Sequence, residues 1–324
     1  ACGQTGNPEN PAPNAETAAG HYPITVTDHA GRKVTINKEP QRIVSCYYIT
    51  TSLLMALGLD KKIVGIEDNP DYRPIYALSA PNLLELPWVG TAKVLDVEAC
   101  VALNPDLVIL PLRLKDAADL LEDLGINVLL VNPESQQLLV EMIRMVAAAT
   151  NTRETGEALI TFLEIQEKFL SETLANAEPP TVYLAGNSGL LSTAGNAMYQ
   201  SDMIRLAGGV NVAAEITDTY WAEIDYEQLL TWDPEYIILA AEAAYTVDDV
   251  RNDPNLADCK AIVSGNVYRL PNKAEAWDSP VPGSVLGALW LANILHSDKL
   301  SDADSATRTK EFYETFYHFT YIEN

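Results

Sequence analysis

The chain has 324 residues and a formal net charge of −24 at pH 7, from 21 basic and 45 acidic side chains. This acidic balance argues against nucleic-acid binding, which needs a basic patch to displace phosphate counterions, and against adhesion to an anionic membrane surface. Hydrophobic residues make up 48% of the chain, but no run approaches the ~18 apolar residues of a membrane span. The length suffices for two domains of ordinary size.

The first twenty residues have the composition of a flexible tether. They are rich in Pro, Gly, Asn and Ala and show no apolar periodicity. Cys2 stands at the start of this stretch and is followed directly by Gly3, an arrangement that resembles a processed bacterial lipoprotein. We therefore expect residues 1–20 to be a lipoprotein tether with Cys2 as its lipid anchor. The alternative is a free cysteine in a disordered tail.

Residues 21–150 alternate between strand and helix patterns and predict an N-terminal α/β lobe. Two alternating apolar and polar runs around Asp28–Gly31 indicate a β-hairpin. The apolar run at 106–110 is continuous, as in a parallel strand covered on both faces. The other predicted strands lie at 42–45, 62–66 and 127–131, and the helices lie at 50–57, around Glu98, at 115–124 and at 135–149.

A long helix is predicted at 151–176, and we assign residues 151–178 to a linking backbone helix. Asn151 and Glu154 have the spacing of a capping box. Apolar residues then recur at helical spacing, and no proline intervenes before Pro179. About 25 helical residues span roughly 37 Å. Such a helix between two lobes fixes their separation and leaves a cleft between them.

Residues 179–324 repeat the α/β plan and predict a C-terminal lobe. Strands are predicted at 181–185, 236–240 and 267–270, and helices at 200–207, 227–231, 287–295 and 307–317. The stretch 98–110 also matches the stretch 227–239, because in each a glutamate precedes a proline by seven residues and an apolar strand follows. The sequence therefore predicts two α/β lobes of one design with a ligand cleft between them.

The cysteines do not form a recognisable metal or redox motif. Cys46, Cys100 and Cys259 lie in apolar or strand-like contexts, where buried thiols are expected, and a disulfide among them stays open.

Enzyme motifs are scarce as well. The stretch Gly186–Gly189 is one residue short of a nucleophile elbow, and neither a P-loop nor a G-x-G-x-x-G motif occurs. The four histidines are scattered along the chain, which disfavours a bare-metal site. We predict a protein that is not an enzyme and has no resident cofactor or metal. A hydrolase using Ser188 and a carrier of bare zinc or manganese are the contrasting hypotheses.

Aromatic and polar residues recur at loop positions, several of them directly after predicted strands. Rigid aromatic rings offer flat apolar walls, and arginines pair with anionic groups. Each such residue alone is more often a packing residue, but their shared positions predict one cleft between the lobes for a medium-sized ligand with flat and charged parts. The candidate ligand-binding residues are Tyr47, Tyr48, Tyr72, Arg73, Arg113, Asn187, Ser188, Tyr199, Tyr220, Trp221 and Trp277.

From about Thr25 onwards the chain resembles the helix-linked (class III) substrate-binding proteins of ABC importers for iron–siderophores, haem and cobalamin. The matching stretches are TDHAGRKVTINKEPQRIVS, LLMALGLDKKIVGIED, VGTAKVLDVEACVALNPDLVIL, TWDPEYIIL and PGSVLGALWLANILH. The resemblance implies two Rossmann-like α/β lobes, each with a central sheet, joined by a single long backbone helix. It also implies that Glu98 and Glu227 dock to arginines of the permease subunits.

The same resemblance implies a monomeric carrier at the outer face of the cytoplasmic membrane or in the periplasm. Such a carrier binds a small-molecule metal chelate and delivers it to the permease. A ferric siderophore is the favoured ligand, although anionic catecholate complexes favour several basic residues and only Arg73 and Arg113 are good candidates. Haem, cobalamin (a corrinoid that favours aromatic walls) and an oxyanion such as molybdate are the alternatives.

Overall fold

The computed structural model describes residues 22–322. The predicted tether and its Cys2 lie outside these residues. Within residues 22–322, no helix combines the length and the apolar character needed to cross a membrane. The described chain is α/β, with a main sheet on each side of a long helix, as predicted.

The N-terminal lobe contains a parallel four-stranded sheet in the order β4-β3-β5-β6 and a separate antiparallel hairpin, β1-β2. Its strands are β1 (Ile24–Thr27), β2 (Lys33–Ile36), β3 (Ile43–Ser45), β4 (Ile63–Gly65), β5 (Leu107–Pro111) and β6 (Asn127–Val131). Its helices are α1 (Tyr48–Ala56), α2 (Pro74–Ser79), α3 (Val97–Ala102), α4 (Lys115–Asp123) and α5 (Gln136–Ala149). Strand β5 lies inside the sheet and is buried along its whole length, which accounts for its continuous apolar sequence.

The linking helix α6 (Arg153–Thr173) has 21 residues, so it spans about 31 Å. The predicted capping box is wrong. Asn151 has a φ of 58° and forms the turn between α5 and α6, and its side chain donates to Glu39 Oε2 at 3.1 Å instead of capping the helix. Gly156 lets the two helices approach closely, because a Cβ there would lie 2.6 Å from the Cβ of Ala147.

The C-terminal lobe has a sheet in the order β10-β8-β7-β11-β12, with β9 paired to β7. Its strands are β7 (Thr181–Ala185), β8 (Ser192–Ala194), β9 (Val210–Asn211), β10 (Trp221–Glu223), β11 (Tyr236–Leu239) and β12 (Val267–Arg269). Its helices are α7 (Tyr199–Leu206), α8 (Tyr226–Trp232), α9 (Val247–Arg251), α10 (Lys260–Val263), α11 (Val285–Leu295) and α12 (Asp302–Phe316). Strand β8 runs antiparallel to both of its neighbours, β7 and β10, and neither β8 nor β10 was predicted from the sequence.

The sequence match between the halves extends to hydrogen bonds. Asp106 follows the first proline, and its Oδ1 accepts from the backbone amide of Arg42 at 2.9 Å, just before β3. Glu235 follows the second proline, and its Oε2 accepts from the amide of Thr181 at 2.8 Å, at the start of β7. In each lobe, the acidic residue therefore fixes where the neighbouring strand begins.

The C-terminal helix α12 connects the two lobes in space. It packs on α6 through Phe162 and Phe312, whose ring centroids are 5.2 Å apart. Just past its end, Tyr317 reaches the N-terminal lobe, where its carbonyl oxygen accepts from Ser79 Oγ at 2.7 Å and its hydroxyl lies 2.8 Å from Ser52 Oγ. One apolar core runs from the hairpin to α12. The lobes are therefore braced by α12 in addition to α6.

A buried carboxyl group lies at this junction. Ser52 Oγ of α1 donates to Oε2 of Glu275 at 2.5 Å, and the hydroxyl of Tyr313 in α12 lies 3.4 Å from Oε1. Burial raises the pKa of Glu275 to about 7, and burial likewise raises the pKa of Asp278 to about 6. The junction therefore holds acids that bind protons well above the ordinary carboxyl range.

We expect Glu275→Gln to weaken the pH dependence of stability. The folded chain retains a proton on Glu275 between about pH 4.5 and 7 that the unfolded chain loses, so this contribution is present in acid and is lost as pH rises through 7. The effect is at most about 3 kcal/mol. Denaturant titrations at pH 5.5 and 8.5 measure it, with the exposed-site variant Glu172→Gln as control. An unchanged pH slope in Glu275→Gln would contradict the assignment.

Candidate ligand-binding site

A cavity of about 520 Å³ lies between the lobes, and we call it the main cavity. One wall comes from the carboxyl ends of β3, β5 and β6, where loops after parallel strands meet. The other wall comes from the start of α7 and from β10. The lining residues are Tyr47, Pro111, Leu112, Arg113, Val131, Asn132 and Glu134 of the first lobe, and Met198, Tyr220 and Trp221 of the second.

Tyr47 is held firmly in the first wall. Its carbonyl oxygen accepts from Thr50 Oγ1 at 2.9 Å and from Ser45 Oγ at 3.1 Å, so hydroxyls on both sides fix the turn between β3 and α1. Its ring packs edge-on against Tyr48 with centroids 5.7 Å apart. Burial raises the pKa of Tyr47 well above its ordinary value, so the phenol is neutral and can donate a hydrogen bond.

Arg113 and Glu134 give the main cavity one basic and one acidic group. Arg113 is exposed and has no ion-pair partner among residues 22–322. Burial raises the pKa of Glu134, while the nearby Arg113 guanidinium and the Tyr199 amide oppose the rise. That amide, from the second lobe, lies 3.4 Å from Glu134 Oε2. The cavity therefore has a low net charge although the chain is strongly acidic.

Tyr48 and Arg73 lie in a second compartment of about 360 Å³, beside the ends of β3 and β4. The Arg73 guanidinium stacks 3.9 Å above the Tyr48 ring and forms an ion pair with Glu242 of the second lobe. The Tyr48 hydroxyl donates to Ser279 Oγ at 2.5 Å, also across the lobes. These two candidate residues therefore connect the lobes and do not line the main cavity.

The other candidate residues lie elsewhere. Trp277 is 2% exposed, and its indole N–H donates to the Tyr313 hydroxyl at 2.8 Å, so it is a core residue and the expectation of a cleft wall is corrected. Tyr199 is likewise fully buried, in α7. Tyr72 is 76% exposed and lines neither compartment, and the same holds for the exposed turn residues Asn187 and Ser188.

Six lining residues were not among the sequence candidates: Pro111, Leu112, Val131, Asn132, Glu134 and Met198. Asn132 and Glu134 follow β6 in the same way that Arg113 follows β5, so the strand-end pattern contained the information needed to find them. Met198 immediately precedes α7 and supplies a flexible apolar contact surface.

Glu98 and Glu227 occupy equivalent positions in the two lobes. Each is the second residue of a short helix, α3 or α8, and each is exposed. The caps are provided by Asp96 and Asp225, which accept the amide three residues later at 2.9 and 2.8 Å. In the part of the chain that the structure describes, neither glutamate has a hydrogen-bond or ion-pair partner. Both carboxylates are therefore available to an external partner.

The cysteines are as expected. Cys46, Cys100 and Cys259 are free and buried, and burial raises the pKa of Cys100 to about 11. Residues 22–322 contain no group of three or more His, Cys, Asp and Glu side chains arranged to hold a metal ion.

Two α/β lobes, joined by one long helix and enclosing a cleft at their strand ends, define a helix-linked substrate-binding protein. The family model described as periplasmic binding protein matches residues 43–274, so the chain belongs to that family. The resemblance noted in the sequence is therefore confirmed, and with it the expected extracytoplasmic location.

Individual relatives differ in what their names say they bind. The molybdate-binding protein MolA of Haemophilus influenzae is 25% identical over 323 aligned residues, which cover 91% of each chain. Its structure with bound molybdate has a TM-score of 0.82, with 24% identity over 93% of this chain and all of that one. A cobalamin-binding protein of Halobacterium salinarum is 26% identical over 90% of this chain and 79% of its own. YvrC of Bacillus subtilis, an uncharacterized ABC transporter substrate-binding lipoprotein, is 28% identical over 71% and 74%.

Proposed function

We propose that this chain captures a metal chelate in the main cavity and delivers it to the permease of an ABC importer. The observation that carries the proposal is the lining itself, in which three aromatic rings accompany a single arginine and a single partly buried carboxyl group. Such walls bind a ligand with flat apolar surfaces and few charges, and they contain no arrangement suited to chemistry on it.

Size supports a ligand of intermediate dimensions. A cavity of 520 Å³ falls within the roughly 300–1,000 Å³ of sites that bury most of a medium-sized organic molecule. Tyr220 is 50% exposed and Trp221 is 37% exposed, and both belong to the second-lobe wall. Large rings exposed together at a cleft are typical of a surface that a ligand covers.

Charge narrows the class of chelate. A highly anionic catecholate complex would meet only one arginine and would face the carboxyl group of Glu134. A ferric siderophore of low net charge, such as a hydroxamate complex, avoids this conflict, since the organic ligand already neutralises the iron. We therefore favour a ferric siderophore of this kind.

Molybdate and cobalamin are the alternatives that the relatives favour, because proteins named for them match about nine-tenths of this chain. A compact oxyanion would fill little of the main cavity and would still face Glu134. A corrinoid would use the aromatic walls but would extend well beyond them. Haem would have Tyr47 or Tyr220 as its axial-ligand candidate, with no histidine in the lining.

The carrier would act as a monomer outside the cytoplasm. We propose that Cys2 holds it to the membrane through a lipid, a role supported by the lipoprotein relative YvrC. Glu98 and Glu227 would dock to basic residues of the permease, one from each lobe, and so orient the cleft over the transport path.

Ligand titrations test the proposed class. We expect a ferric hydroxamate to quench tryptophan fluorescence, and a ferric catecholate, haemin, cyanocobalamin and molybdate to bind more weakly or not at all. Trp221→Phe should lose most of the quenching, because this ring lines the main cavity, whereas the buried-site control Trp277→Phe should retain it. Calorimetric binding of molybdate alone would contradict a chelate ligand.

Docking is tested separately from capture. Glu98→Ala and Glu227→Ala should each weaken the association with permease-containing proteoliposomes by about tenfold, since each removes one charge-assisted contact. Ligand affinity should stay unchanged because neither residue lines the main cavity. Glu172→Ala, an exposed glutamate of α6, is the matched control. Loss of ligand affinity in either variant would exclude a docking role.

A further inference from the structure

The turn between β1 and β2 reaches one wall of the main cavity. Asn132 is a lining residue directly after β6, and its backbone N–H donates to Nδ1 of His29 at 2.7 Å. The same turn holds the edge strand β6, because the His29 amide donates to the Leu130 carbonyl at 3.0 Å and the Leu130 amide donates to Asp28 Oδ2 at 3.1 Å. Hydrogen bonds from Asp28 and His29 therefore run along the edge strand β6 and reach Asn132 in the cavity wall.

This geometry fixes the protonation of the His29 ring. Nδ1 accepts a hydrogen bond, so it carries no proton, and the neutral ring has its proton on Nε2. The side chain is only 7% exposed, and Nε2 has no hydrogen-bond partner among the described residues. The nearest carboxylate oxygen, Glu141 Oε2, is 4.0 Å away. A buried polar atom left without a partner is costly, and it calls for a reason other than packing.

We propose that His29 is a positioning residue for the ligand cavity: its unprotonated Nδ1 holds the segment from Asn132 to Glu134 in the wall, and protonation of the ring releases that segment. A protonated Nδ1 is a donor and would oppose the Asn132 N–H instead of accepting it. This inference rests on the proposed function in one respect, which is that the main cavity is the ligand site.

Release of this segment would also affect the second lobe. Glu134 Oε2 lies 3.4 Å from the Tyr199 amide, so the wall that His29 holds makes a contact across the cleft. Acidification would therefore loosen the wall and this contact together, and the ligand would be held at neutral pH and released in acid.

The surrounding charges set the pH at which this happens. Asp28 is paired with Arg32, which also pairs with Glu122 of α4, while Glu141 of α5 faces the ring. Burial lowers the pKa of His29, and Glu141 and Asp28 oppose that shift. Because the folded pKa lies below 6.5, the ring is neutral at pH 7, and its contribution is lost as pH falls through the lowered value.

Amide exchange by NMR on the full chain tests this directly. In the unaltered chain, we expect the protection of the Asn132 amide, measured relative to Val108 in β5, to fall at least tenfold as the His29 imidazole ¹⁵N signals report protonation. Glu141→Gln should move both midpoints together to lower pH and leave protection at pH 7.5 unchanged. A purely structural role for His29 would not produce that joint displacement.

His29→Phe keeps the ring volume and removes the acceptor, so Asn132 should lose at least tenfold protection at every pH while Val108 does not. If this variant fails to fold, the joint shift of the two midpoints in Glu141→Gln still tests the inference. Asn132 protection that is independent of His29 protonation would overturn the inference.

Ligand binding gives a second test. A ferric hydroxamate should bind at least tenfold more weakly at pH 5 than at pH 7.5. Equal binding by His29→Phe and the unaltered chain would also overturn the inference. If no chelate binds at either pH but protection follows His29, the proposed function fails and the holding role is supported.

Discussion

Packing between α6 and α12 determines how the two lobes face each other. The Phe162 and Phe312 rings join these helices, and Arg308 of α12 stacks 3.6 Å above Phe169 of α6. Beyond α12, Tyr317 hydrogen-bonds to the first lobe. Because the cavity has one wall from each lobe, its width depends on these contacts as well as on those across the cleft, such as Glu134 to the Tyr199 amide. The lobes are thus held by α12 and its C-terminal extension in addition to the linking helix α6.

The two compartments of the cleft differ in what their polar side chains contact. In the compartment beside β4, Tyr48 hydrogen-bonds to Ser279 and Arg73 forms an ion pair with Glu242, so these groups already have partners in the second lobe and few polar groups remain for a ligand. In the main cavity, Arg113 has no ion-pair partner within residues 22–322, and exposed rings complete the wall. The cavity therefore has a low net charge although the chain is strongly acidic, and under the proposed function this local charge selects the ligand.

Much of the fold could be predicted from the sequence, because a short continuous apolar run such as the one at β5, followed by a helical pattern, favours a buried parallel strand. The three-residue strands β8 and β10 could not, since pairing by tertiary neighbours decides such short segments. The capping box predicted at Asn151 was wrong for a different reason, because asparagine is as common in a left-handed turn as at a helix N-cap. For the site, strand-end position identified Tyr47 and Arg113, but sequence does not distinguish a ring that faces a cleft from one that faces the core, as Trp277 does.

Capture of a ligand requires above all that the ligand binds in the main cavity. A crystal structure of the chain with the tightest-binding chelate of the titration panel tests this claim directly. We expect the chelate between the ring of Trp221 and the Arg113 guanidinium, with Tyr47 at its base. Ligand density in the compartment beside Arg73, or on the outer surface with the main cavity unchanged, would contradict the account.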